Sequence, residues 1–166
     1  MSETRYAHWD GLLGTMLLAA NERGLRSINF AASKRAERPQ ADWREDSAFF
    51  SETIRQLRAY FEGELREFDL PLAPDGTEFQ MRVWQSLREI PYGETISYGQ
   101  LARRLGNAKA SRAVGLANGS NPIPIIIPCH RVIGSDGSLV GYGGGLENKK
   151  ILLALESRQR SLIATA

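Results

Sequence analysis

The segment Leu70-Pro-Leu-Ala-Pro-Asp-Gly76 cuts this chain in two. Pro71 and Pro74 can neither continue a helix nor donate within a central strand, so regular structure on one side cannot run into the other. In a chain of 166 residues this predicts two small domains, 1–76 and 77–166. The charge changes sign at the same place. Residues 1–78 hold 10 Lys/Arg against 14 Asp/Glu, a net −4, and residues 79–166 hold 11 against 5, a net +6, which together give the chain's +2. A basic half joined to an acidic one points to a polyanion-binding module beside a non-binding one, although charge alone does not separate this from a chance imbalance.

The two halves have different periodicities. The first 30 residues read as strands: Gly11 and Gly14 punctuate one turn, Gly24 another, and Ile28 and Phe30 alternate with Ser27 and Asn29 as in a half-buried strand. Residues 31–46 are polar, contain Pro39 and read as a surface connection. Phe50, Ile54, Leu57 and Phe61 then recur at helical spacing, and Gly63 stands where a C-cap belongs. An antiparallel-sheet α/β domain is therefore expected before the prolines.

After them the pattern turns helical. Thr77-Glu-Phe-Gln80 is a capping box ahead of the stripe Phe79, Val83, Trp84 and Leu87, which Pro91 stops. Ser97-Tyr-Gly-Gln100 is a second, with Leu101, Ala102 and Leu105 facing inward and Gly106 at the end. Asn107 is placed to cap a further helix from about Ala108 to Asn118. Two short helices around a glycine turn, in the basic half, read as a helix-turn-helix, though such hairpins also occur in protein interiors. Asn121-Pro-Ile-Pro-Ile-Ile-Ile-Pro128 cannot be a central strand and reads as an extended buried stretch. Glycines follow from Gly134 to Gly145, and a final helix from Leu146 to about Arg158 is expected to bury Ile151, Leu152 and Leu155 before a frayed end.

Composition removes several classes of function. With 42% hydrophobic and 24% charged residues the chain reads as a soluble globular protein, and its longest apolar runs are far shorter than the roughly 20 residues of a membrane helix. Met1-Ser-Glu-Thr-Arg-Tyr lacks the apolar core of a signal peptide, so a cytoplasmic location is expected. Cys129 has no second cysteine to pair with, in keeping with a reducing compartment. Cys129, His8 and His130 are too few for a structural zinc site, which needs about four such ligands.

Chemistry concentrates at Pro128-Cys129-His130-Arg131. A lone cysteine is commonly a small buried hydrophobe. Here it sits beside a titratable imidazole and a permanent cation, a setting that lowers a thiol pKa and makes a nucleophile. Adjacent side chains in an extended chain point opposite ways, so His130 reaches Cys129 only if the backbone turns or a water carries the proton. A histidine that merely bonds a backbone carbonyl remains the competing reading.

Ile127-Pro-Cys-His-Arg-Val132, with Asn121-Pro122 upstream, resembles the O6-alkylguanine-DNA alkyltransferases, the methylated-DNA–protein-cysteine methyltransferases. The resemblance continues in order through Tyr92-Gly-Glu-Thr-Ile-Ser-Tyr98, Ser111-Arg-Ala-Val-Gly115, Gly141-Tyr-Gly-Gly-Gly145 and Leu155-Glu156, and so covers nearly all of residues 79–156. The first half matches loosely, through its strand pattern and Ala59-Tyr-Phe-Glu-Gly63. The resemblance implies a cysteine that takes an alkyl group from guanine O6, chiefly O6-methylguanine and by extension O4-methylthymine, in one irreversible step. Cys129 would be the nucleophile, His130 the base acting through a water, and Glu156 the residue orienting His130. Tyr98 would donate a proton to the departing guanine and crowd the adjacent phosphate, and Asn121 would tie the recognition helix to the active-site segment.

Arg112 would enter the base stack as the damaged nucleotide flips out. Ser97, Ala110, Ser111, Ala113, Gly115 and Ala117 would line a recognition helix whose small side chains let it approach the minor groove of duplex DNA, with little reading of sequence. Pro124, Tyr142, Gly143 and Lys149 would line the substrate pocket. No cofactor is implied, and a monomer is the expected state. Many relatives carry serine where Gly143 stands, and the smaller residue predicts tolerance of adducts larger than methyl, such as benzyl. Asp10-Gly-Leu-Leu-Gly14 departs from the family's Pro-Leu-Gly turn. Two rival classes give different readings: a Cys-His-Glu hydrolase, which would need an oxyanion hole and repeated turnover, and a DNA-binding sensor that recognises the lesion without repairing it.

Overall fold

The computed structural model describes residues 3–33, 36–139, 142 and 145–165, with residues 159–165 by backbone alone. The chain divides into two compact units, Met1–Asp75 and Gly76–Ala166.

In the first unit β1 (Arg5–Gly11), β2 (Gly14–Asn21) and β3 (Gly24–Phe30) form an antiparallel meander. Leu12-Leu13 and Glu22-Arg23 make the turns, with Gly11 opposite Gly14 and Asn21 opposite Gly24. Gly24 is required on two counts: its φ is +143°, and a Cβ there would lie 2.3 Å from the Pro71 carbonyl oxygen. The close approach arises because the proline segment lies along β3, with Leu25 N–H donating to Pro71 O at 2.9 Å and Ala73 N–H to Leu25 O at 2.7 Å.

The sheet is not wholly antiparallel. β4 (Arg44–Glu45) joins β1 in parallel, giving the order β3-β2-β1-β4, within the stretch that the sequence presents as a plain surface connection. Nor is β3 half-buried, since Ser27 is buried along with Ile28 and Phe30. Both faces of the sheet are covered. Trp9 meets Phe61 with ring centroids 6.2 Å apart, and Tyr6, of opposite parity on β1, meets Trp43 at 6.4 Å. β2 is accordingly buried from Met16 through Ala20 without alternation.

A 3₁₀ turn at Ser47–Phe50, capped by Asp46, leads into α1 (Ser51–Phe61). Its inner face is Thr53, Gln56, Leu57 and Tyr60, whereas Ile54 and Phe61 are half-buried, so the buried stripe is rotated from the one the apolar spacing predicts. Gln56 explains the rotation: its amide donates to Asp69 O and accepts from Asp69 N–H, both at 2.9 Å, and pins the returning chain. Gly63, at φ +78°, follows the helix, and Glu64 N–H closes the end on Ala59 O at 2.8 Å.

The second unit is mostly helical: α2 (Glu78–Leu87), β5 (Ile96–Ser97), α3 (Tyr98–Arg104), α4 (Ser111–Gly119), β6 (Val132–Ile133) and α5 (Leu146–Thr165). Both expected capping boxes form, Thr77 with Gln80 and Ser97 with Gln100. α4 packs on α2 and α3, and Trp84 Nε1–H donates to Ala117 O at 2.9 Å. α4 begins later than the sequence predicts. Asn107 does not cap it; its side chain accepts from Lys109 N–H at 3.2 Å, a local turn that competes with helix, and Ala110 takes the N-cap position without a side-chain bond. β5 and β6 pair in parallel, Ile96 opposite Val132. α5 also presents a different face: Lys149 and Glu156 are buried with Leu152, while Ile151 and Leu155 are half-buried. Its backbone is helical through Thr165.

Candidate active site

The segment Asn121–Pro128 is a set of tight turns rather than an extended stretch. Asn121 Oδ1 accepts from Ile123 N–H at 3.0 Å, its Nδ2–H donates to Ile127 O at 2.8 Å, and Ile127 N–H donates to Ile123 O at 2.9 Å. Between these bonds Ile125 is held at φ +77°, a conformation a β-branched residue adopts only when its surroundings impose it. Three prolines with no N–H to donate make such a knot cheaper than a strand. Pro128, at φ −81° and ψ 64°, then makes an inverse γ-turn in which Cys129 N–H donates to Ile127 O at 2.8 Å. Cys129–Arg131 continues as a 3₁₀ turn. The backbone therefore does turn between Cys129 and His130.

Cys129 is 4% exposed. Burial pushes its thiol up to about 11, against the opposing pull of an Asn121 hydrogen bond and the Lys149 charge. This corrects the expectation of a lowered thiol pKa. Arg131 does not supply positive charge to Cys129, because its guanidinium is spent on Glu156. Nε donates to Oε1 at 2.9 Å and Nη2 to Oε2 at 3.0 Å, while Nη1 donates to Ile90 O at 2.6 Å. The Tyr92 ring lies 5.7 Å from the same guanidinium.

Glu156, which by sequence would pass for a solvated surface residue, is 1% exposed. Burial alone would raise its carboxyl, but hydrogen bonds and charge from His130 and Arg131 outweigh it and hold it far below the usual carboxylate range. A carboxylate can only accept, so at 2.7 Å His130 Nε2–H donates to Oε2, and the lone pair of the neutral ring is on Nδ1. Burial keeps the ring neutral by lowering its pKa, with Glu156 acting the other way. Nδ1 is buried and has no hydrogen-bond partner among the described residues. Gly93 N–H also donates to Glu156 Oε1, at 3.3 Å.

Tyr98 opens α3 directly after Ser97, whose hydroxyl oxygen is committed to capping Gln100 N–H. Burial and the neighbouring Cys129 raise the Tyr98 phenol, and a hydrogen bond from Asn118 opposes them. Lys149 is fully buried, and its Nζ–H donates to Val132 O at 2.6 Å. Burial lowers its pKa while Cys129 works in the opposite direction. Tyr142 is buried, and burial followed by Cys129 and Glu156 raises its phenol well above the ordinary value. Pro124 is buried in the turn segment, and Gly143 lies outside the described residues.

On α4, Arg112 and Ala113 are exposed, and Ala110, Ser111 and Gly115 are half-buried. Ala117 is 3% exposed and faces inward, so it leaves the set of groove-lining candidates. It lies where α4 packs on α2, its carbonyl accepting from Trp84 Nε1–H.

Two family models match the chain. One described as 6-O-methylguanine DNA methyltransferase, ribonuclease-like domain covers residues 4–74, and one described as 6-O-methylguanine DNA methyltransferase, DNA binding domain covers residues 78–158. The methylated-DNA–protein-cysteine methyltransferase of Methanosarcina acetivorans is 56% identical over 151 residues, covering 91% of this chain and 97% of that one. The chain belongs to this methyltransferase family. The Mycobacterium tuberculosis relative is 50% identical over 151 residues, covering 91% of each chain. The solved O6-methylguanine methyltransferase of that organism matches with a TM-score of 0.85 at 48% identity, over 96% of this chain and 94% of that one. A structure of the M. tuberculosis protein in complex with DNA matches with a TM-score of 0.84 at 47% identity, over 95% and 94%.

Within this methyltransferase fold the sequence passes over three residues that the structure brings forward. Arg131 reads as a local charge and is instead the clamp on Glu156. Asn118 reads as a helix end and is instead 1% exposed, touching both Cys129 and Tyr98. Leu116 is 71% exposed on α4, on the same side as Arg112. Arg131 had a faint signal, since it lies within Ile127–Val132, whereas Asn118 falls between the matching segments, and no spacing rule marks a buried polar partner.

Proposed function

We propose that this protein repairs alkylated DNA by flipping O6-alkylguanine out of the duplex and moving the alkyl group to Cys129, once per molecule. The observation that carries this reading is the Arg131-Glu156-His130 chain, which leaves an imidazole lone pair on the ring adjacent to the sole cysteine. In the step itself the Cys129 proton passes to His130 Nδ1 through a water, and Glu156 stabilises the imidazolium. The sulfur–carbon bond forms as the carbon–O6 bond breaks, its electron pair stays with the purine, and Tyr98 delivers a proton there. Asn121 holds the sulfur, and Pro124, Tyr142 and Lys149 enclose the base, a pocket to which the family resemblance adds Gly143. The thioether product lies outside the reversible modifications of cysteine, which makes the protein a single-use reagent. O4-methylthymine offers the same reacting group and is the expected minor substrate.

The DNA partner is read from α3 and α4 as a helix-turn-helix that enters the minor groove. Arg112 fills the space left by the flipped base, and Ser97, Ala110, Ser111, Ala113 and Gly115 allow the close approach. The units 1–76 and 77–166 are assigned to support and to DNA binding with transfer. The protein is taken to act as a cytoplasmic monomer, and no helix among the described residues is long and apolar enough to cross a membrane.

The test is transfer of a tritiated methyl group from an O6-methylguanine duplex to acid-insoluble protein. Label is expected on the native chain and none on Cys129→Ser. Release of methanol with Cys129 left unlabelled would overturn the proposal in favour of hydrolysis.

A further inference from the structure

Asn118 stands on the last turn of α4 with 1% of its surface exposed. Its Nδ2–H donates to the Cys129 carbonyl oxygen at 3.4 Å. Asn118 lies one turn beyond Gly115, where a Cβ would meet the Tyr98 ring at 3.8 Å, and its side chain acts on the Tyr98 phenol. The orientation of the amide is settled by chemistry. A backbone carbonyl only accepts, so the nitrogen must face Cys129. Oδ1 is buried with no partner among the described residues, so the amide is placed to give rather than receive. A buried acceptor without a partner is costly, which points to a use for the donor side.

We propose that Asn118 is a positioning residue of the alkyl transfer, its amide donating to the Tyr98 hydroxyl oxygen and so aiming the phenolic proton at the departing purine. This rests on the transfer reading above. A phenol that accepts from Asn118 keeps its own O–H to give away, and the accepted bond stabilises the phenolate left behind. Atoms balance: Cys129 loses a proton to His130, the alkyl carbon exchanges oxygen for sulfur, and the purine takes a proton from Tyr98. Reprotonation of Tyr98 from the imidazolium by way of solvent restores the starting charges. The bond to the Cys129 carbonyl places acid and nucleophile on one rigid link, so α4 sets their spacing.

The experiment is a double-mutant cycle in single-turnover transfer from an O6-methylguanine duplex, with native protein, Asn118→Leu, Tyr98→Phe and the pair. Asn118→Leu is expected to slow transfer about tenfold in the native background and less than about twofold when Tyr98 is already Phe. NMR of ¹³C-tyrosine should show the Tyr98 phenol titrating at higher pH in Asn118→Leu than in the native protein. Should the leucine variant not fold, as judged by its urea midpoint, Asn118→Asp keeps the shape without the N–H and carries the same expectations. Equal slowing in both backgrounds, or an unmoved Tyr98 titration, would overturn the role of Asn118. A native protein that transfers nothing would instead bring down the repair reading beneath it.

Discussion

A cysteine 4% exposed at the end of a run of buried isoleucines has lost its water, which is why burial dominates Cys129 and pushes its thiol up to about 11. Nucleophilicity is therefore not stored as a standing thiolate. In the proposed mechanism it is produced during the reaction, by the proton acceptor on His130, whose ring Glu156 holds at 2.7 Å. Carbamidomethylation of Cys129 by iodoacetamide in the free folded protein should accordingly rise steeply across pH 8 to 10. In urea the same residue should approach its plateau near the ordinary value of about 8.5. Half-maximal reactivity near pH 8.5 in the folded state would contradict the picture. Glu156 carries a second expectation at this scale. Glu156→Gln leaves the buried Arg131 charge without its carboxylate, and removing one member of a buried pair costs about 3–5 kcal/mol, read as a fall in unfolding free energy in urea.

The elements are fixed by a few positions whose substitutions have opposite signs. Gly24→Ala forces a side chain into a positive-φ site against the Pro71 carbonyl, and should destabilise the first unit by about 1–3 kcal/mol in urea titration. Gly115→Ala sits inside α4, where a Cβ meets the Tyr98 ring at 3.8 Å, an ordinary contact. It should stabilise by about 0.5–1 kcal/mol, and a loss of stability would show that α4 packs more tightly than this distance allows. Elements announced by local chemistry are plain in the sequence: the capping boxes at Thr77 and Ser97, the glycine turns of the meander and the proline break. Elements set by distant partners are not. β4 and β5–β6 are too short for a period, and their pairing bridges sequence-distant segments. α5 turns Lys149 and Glu156 inward because Val132 O, His130 and Arg131 satisfy them there, so its apolar stripe misleads by one position. Asn107 could equally cap a helix or make its own turn, and only the packing of α4 decides.

For the whole molecule, the buried His130–Glu156 pair makes stability depend on pH. His130 has its pKa lowered from 6.5 by burial, so just below that pH the unfolded chain takes up a proton that the folded one refuses. Glu156 is lowered from 4.5, so near that pH the unfolded carboxylate protonates while the folded one stays ionised. In both windows the unfolded state binds more protons, and stability must fall as pH falls. Urea midpoints should decline below pH 6.5 and more steeply below 4.5, and a midpoint constant from pH 7 to 4 would contradict the burial of this pair. At this scale the sequence is informative about identity: the ordered segments from Tyr92 to Glu156 carry the resemblance from which roles for Cys129, His130 and Glu156 are proposed, and the structure pairs His130 with Glu156 at 2.7 Å. It is silent about how they are held, because a buried arginine and a buried amide look in a sequence like any surface residue.

The most direct measurement is intact-protein mass spectrometry, followed by peptide mapping, after mixing the chain with excess duplex bearing one O6-methylguanine. Transfer to a single-use thiol predicts a gain of one methyl group on Cys129, stopping at one equivalent however long the mixture stands. Continued loss of the lesion beyond that equivalent would show turnover, and tight binding with Cys129 unmodified would show a sensor; either contradicts the mechanism.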